Sequence, residues 1–68
     1  MNLQDLNVLF RKLLPGEFAL VRSLTDWQAI NYNLQKIADA YNLQFPYVNS
    51  PEKLKEALTI IKSRLGLP

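Results

Sequence analysis

The sequence predicts an all-α fold: a small bundle of three main amphipathic helices, at about 2–14, 25–41 and 50–65, with a short helical or irregular connector at 17–23. Three observations carry this. Apolar residues recur at three- and four-residue steps in three separate stretches. Each stretch opens on a residue suited to capping a helix, and each ends on residues that stop one: Pro15-Gly16, Asn42 and Gly66.

In the first stretch Leu3, Leu6, Phe10, Leu13 and Leu14 share one helical face. Asn2 is placed as the N-cap, and Asp5 lies in the first turn, where negative charge suits the helix dipole. Pro15 removes a backbone donor and Gly16 allows a turn that other residues resist, so the helix stops there. The run "EFALVR", residues 17–22, is ambiguous, because four consecutive apolar residues suit a short strand as well as a short helix. A strand would need 44–48 as its partner, which Pro46 interrupts, and a lone parallel pair seldom stands without further strands. The alternative fold is therefore a small α+β domain with short strands near 18–22 and 44–48, paired within one chain or across a dimer.

For the second helix Thr25 is the expected N-cap, with Gln28 completing a capping box and Leu24 as the outer half of a hydrophobic staple. Trp27, Ile30, Leu34, Ile37, Ala38 and Tyr41 fall on its apolar face. Asn42 accepts the left-handed conformation that ends a helix, and Leu43 folds back toward Ile37 or Ala38. The third helix has Ser50 as N-cap, Pro51 in its first position and Glu52 in its first turn. Leu54, Ala57, Leu58, Ile61 and Leu65 form its face, Lys62 and Arg64 sit in the last turn, Gly66 caps the end with Leu67 packing back, and Pro68 closes the chain. The expected core takes most of these faces, leaving out Leu14, Ala38 and Ala57, together with Phe18.

With 68 residues the chain supports one domain, 1–68. Hydrophobic residues at 49% and charged residues at 21% make it too apolar to read as disordered. It has no cysteine, so neither disulfides nor a thiolate zinc site supplement a small core. Met1 is not followed by the basic start and apolar run of a secretory signal, and nothing approaches the ~20 apolar residues of a membrane span. The expectation is a cytoplasmic protein with no membrane association. The net charge of +2 is a small surplus, weaker evidence for a nucleic-acid partner than clustered basic residues would be.

The chemistry available is limited. With no His and no Cys, Ser-His-Asp and Cys-His nucleophilic arrangements are excluded. Asp5, Glu17, Asp26, Asp39, Glu52 and Glu56 are scattered among helix starts and polar faces. The two glycines belong to helix ends, not to a phosphate loop. The expectation is a non-enzyme with no catalytic residues, no cofactor, no metal and no small-molecule substrate.

One stretch resembles a DNA reader: residues 37–43, "IADAYNL", are similar to the first helix and turn of a helix-turn-helix unit, with Val48 where the second helix would anchor. The similarity breaks at Ser50-Pro51, because proline inside the recognition helix costs about 3 kcal/mol or more. "FPYVNS" also carries no Arg, Lys or Gln to meet base edges. On the last helix Lys53 and Arg64 lie on one flank and Lys55 and Lys62 on the other, so its positive charge is split. A small DNA- or RNA-binding regulator, using this degraded element at 34–53 or the basic residues of the last helix, is the alternative function.

The leading expectation is a small interaction protein, a regulator or accessory subunit, that binds another protein or a second copy of itself by helix-face docking. Tyr32, Tyr47 and Ile60 are the expected anchors, being apolar or aromatic residues left off the core faces, and Lys36, Lys53 and Arg64 are the expected rim. Val8 also points away from its helix's core stripe.

Overall fold

The caps and the apolar period place the helices where local chemistry requires them. The structure, a computed structural model, describes residues 1–67 and contains α1 (Leu3–Leu13), α2 (Trp27–Tyr41) and α3 (Pro51–Leu65). Asn2 Oδ1 accepts from the Asp5 N–H at 2.8 Å, and Ser50 Oγ accepts from the Lys53 N–H at 3.2 Å. At the other ends Asn42 and Gly66 are both left-handed, with φ of 57° and 66°. Leu43 and Leu67 then donate back to the Ala38 and Lys62 carbonyls at 3.1 and 3.0 Å, sharing them with the cap N–H groups of Asn42 and Gly66 and closing each helix end. Pro68 lies outside the described residues.

The start of α2 differs from expectation. Asp26, not Thr25, is the N-cap: its Oδ1 accepts from the Ala29 N–H at 3.3 Å and its Oδ2 from the Arg22 N–H at 3.1 Å. One carboxylate thus caps the helix and ties the preceding segment to it. Thr25 is occupied in the turn before, where its hydroxyl lies 3.2 Å from that of Ser23. The capping box with Gln28 therefore does not form, and Leu24, 40% exposed, is freed from the staple.

The connector is neither helix nor strand. After α1 the Glu17 and Phe18 N–H groups both turn back to the Leu14 carbonyl, with Gly16 at φ 77°. From there asparagine side chains hold the backbone. Asn33 Oδ1 accepts from the Ala19 N–H and its Nδ2 donates to the Ala19 carbonyl, at 2.6 and 2.8 Å. Asn7 engages both groups of Val21 at 2.8 and 2.9 Å. Asn31 does the same to Val48 at 2.9 and 2.7 Å.

A single carboxamide reaches the N–H and C=O of one residue only when both point the same way, as in extended backbone. Each pair therefore reproduces one rung of an antiparallel ladder. The second amide proton is used as well: Asn7 Nδ2 also donates to the Leu3 carbonyl and Asn31 Nδ2 to the Trp27 carbonyl, at 3.2 and 2.8 Å. Those bonds fix each side chain against its own helix.

This arrangement overturns the α+β alternative. No strand occurs among the described residues. The groups of Ala19, Val21 and Val48 that would pair the two segments are already held by helix-borne side chains, and Pro46 offers no donor. The short-helix version of the connector fails for the same reason, since extended backbone at Ala19 and Val21 is what the asparagines require.

One hydrophobic cluster joins all three helices and both segments. Leu6, Phe10, Ile30, Ile37, Ala57 and Ile61 are fully buried, as is Val48 from the crossover, with Val21 from the connector at 1%. Leu3, Phe18, Trp27 and Leu65 are packed against the cluster but only partly buried. Tyr41 is not a core residue: it is 37% exposed, and its hydroxyl donates to the Leu13 carbonyl at 2.8 Å, which binds the end of α2 to the end of α1. Asn33 is fully buried among apolar neighbours, which its paired hydrogen bonds permit. The radius of gyration, 10.6 Å, equals the roughly 11 Å of a globule this long.

Candidate docking surface

The expected anchors divide between two regions. Tyr32 is 49% exposed on α2, and the Lys36 ammonium lies 5.6 Å from its ring centroid, within cation–π range. Beside it are Ala19, Leu20 and Ala29, and Leu20 is 60% exposed. Tyr32 has this setting because Asn33, next along α2, draws the connector across the helix.

Tyr47 and Ile60 belong elsewhere. Tyr47, 72% exposed, borders a depression with Gln35, Ala38 and Phe45. Those three also line an adjoining hollow with Asn42, Leu43 and Gln44, and the latter three meet Ile60 and Arg64. A continuous furrow thus follows the crossover from Tyr47 to Arg64. Its walls mix amide and charged side chains with Leu34, Leu43, Phe45, Pro46 and Ile60. Phe45 and Val48 pack against the core while Tyr47 remains outside. Lys53 lines none of these depressions but shares the Ile60 and Arg64 flank of α3 by helical spacing. Val8 is 44% exposed on α1.

A third surface was not anticipated. Along the opposite flank of α3 lies a groove of about 530 Å³, lined by Met1, Leu24, Pro51, Leu54, Lys55, Leu58, Thr59 and Lys62. The α3 residues follow three- and four-residue steps, so they form one stripe along the helix. Leu54 and Leu58, each 8% exposed, make the floor, so the core itself reaches the surface there. Met1 and Leu24, 55% and 40% exposed, stand at the lip.

The groove depends on Asp26 being the cap of α2. Had Leu24 packed as a staple onto α2, it would not stand beside α3. The available signal in the sequence was Asp26, a competing cap one residue past Thr25, which would have released Leu24. Met1 carried no signal at all. Thr59 satisfies its own hydroxyl by donating to the Lys55 carbonyl at 2.9 Å, leaving its methyl to the groove.

The helix-turn-helix likeness is also testable as geometry. Residues 42–50 separate α2 from α3, whereas such units join their helices through a turn of roughly three to four residues. Among the described residues no group of three or more Asp, Glu, His or Cys is arranged to hold a metal ion. No helix among them is long and apolar enough to cross a membrane. No family model, curated protein or solved structure matches this chain.

Proposed function

We propose that this protein is a non-enzymatic interaction protein, a regulator or accessory subunit, that seats an apolar segment of another protein in the groove beside α3. The observation that supports this is the lip of that groove: Met1 and Leu24 stay 55% and 40% exposed although they share the groove with the core residues Leu54 and Leu58. Apolar groups left exposed around a concave apolar floor gain free energy by closing over a partner, at about 25 cal/mol for each Å² removed from water. Helix-in-groove docking uses this geometry. The Tyr32–Lys36 pair and the Tyr47 furrow are separate surfaces: the first exposes Leu20 and Tyr32 beside two small alanines, and the second mixes apolar with amide and charged side chains, whereas the groove beside α3 sets two exposed apolar side chains over two core leucines.

Affinity capture from the lysate of the encoding organism tests the reading when run with wild type and Leu24→Asp in parallel. Leu24 is exposed, so the substitution is expected to leave the melting temperature within a few degrees of wild type. A partner retained by wild type and lost by Leu24→Asp supports the proposal. Light scattering on the purified chain separates a second copy from a different protein. Binding to mixed DNA or RNA that weakens steeply with salt, with no Leu24-dependent protein partner, would replace this reading with the nucleic-acid alternative.

A further inference from the structure

Resting on that docking reading, we infer that the partner segment is an acidic amphipathic helix. The groove runs along α3 from Pro51 to Lys62, about 16 Å at 1.5 Å per residue, the length of three helical turns. A helix laid in it would set apolar side chains spaced i, i+4 and i+7 over Leu54 and Leu58.

The charge follows from what borders the floor. Lys55 and Lys62 are both exposed and lie seven residues apart, which puts them within about 20° of each other around α3 and roughly 10 Å apart along it. No acidic side chain lines the groove. Glu56 lies roughly 100–120° round the helix from the two lysines, and Glu52 roughly 60–80° on the same solvent side; both are exposed and neither lines the groove. A segment with carboxylates flanking its apolar stripe meets both lysines, and a basic segment is repelled by them.

Other occupants fit less well. All three helices of this chain bury their own apolar faces in one cluster, so a folded second copy has no free amphipathic helix to offer. An anionic bilayer complements the lysines but is flat, and leaves the concave floor empty.

The test uses the full chain and two fluorescein-labelled helical peptides of about fourteen residues. Both carry leucines at i, i+4, i+7 and i+11; one has glutamates on its other faces and the other has lysines. Fluorescence anisotropy is read for wild type, for Lys55→Glu/Lys62→Glu and for Leu24→Asp, with thermal melts as the folding control.

Wild type is expected to bind the acidic peptide at least roughly tenfold more tightly than the basic one, and the double charge reversal to invert that preference. Leu24→Asp weakens both peptides. Equal binding of the two peptides, no binding of either, an unchanged preference in the charge-reversed chain, or stronger association with phosphatidylserine vesicles than with the acidic peptide would each overturn the inference. If these arms fail while Leu24→Asp still abolishes partner capture, docking at the groove stands and only the partner's charge is wrong. If Leu24→Asp also leaves capture unchanged, both fall.

Discussion

Replacing Asn33 with alanine is expected to cost more stability than its chemistry as a polar helix residue suggests. Asn33 is fully buried and supplies both partners of the Ala19 peptide groups, at 2.6 and 2.8 Å. Truncation leaves a donor and an acceptor without partners, each costing about 1–3 kcal/mol when buried. Ala19 is half-buried, so water recovers part of this, and a net loss of about 2–4 kcal/mol is expected. Against a total of roughly 3–10 kcal/mol for a chain this long, that is a large fraction. The melting temperature should fall by about 8–32 °C at the 4–8 °C per kcal/mol of small domains.

Urea unfolding followed by the fluorescence of Trp27, the only tryptophan, measures the loss. Asn33→Leu separates hydrogen bonding from packing: it fills the space but leaves Ala19 unpaired, so it should remain clearly destabilised. Gln35→Ala, at an exposed position on the same helix, should stay within about 0.5 kcal/mol of wild type. Amide exchange adds a local readout, with the Ala19 and Val21 amides protected and that of exposed Leu20 exchanging faster. A loss below about 1 kcal/mol for Asn33→Ala, or full recovery in Asn33→Leu, would refute the claim that carboxamide rungs hold the connector.

Two further substitutions probe the helix ends. Asp26→Ala should cost about 1–2 kcal/mol, because it removes a cap and the bond to the Arg22 N–H, while Thr25→Ala costs less than about 0.5 kcal/mol. Equal losses in denaturant melts would restore Thr25 as the cap. At Asn42, φ is 57°. Asn42→Gly should therefore be neutral or stabilising, and Asn42→Ala destabilising by about 1 kcal/mol. The opposite order in thermal melts would show that the left-handed turn is not what ends α2.

The sequence and the structure agree closely on the helices and diverge on what joins them. Leu43 and Leu67 fold back as their caps implied, and Ser50-Pro51 begins α3 as a boundary pair. The tyrosines were legible as residues left outside the core: Tyr32 and Tyr47 are exposed. Tyr41 was misread because helical spacing places it on the apolar face while its hydroxyl seeks the Leu13 carbonyl near the surface. The groove was not legible, because its lip comes from Met1 and Leu24, which lie outside any helical repeat and reach α3 only through the fold.

The sequence alone determined the three helices, since capping acts over about three residues and an apolar stripe repeats every 3.6, both properties of neighbours along the chain. The tertiary structure alone decided the path of the connector and the crossover. Asn7, Asn31 and Asn33 look in sequence like ordinary polar positions on helices, and their partners stand 14 to 17 residues away. A carboxamide becomes a ladder rung only when packing brings an extended backbone beside it, and no local pattern records which backbone that will be.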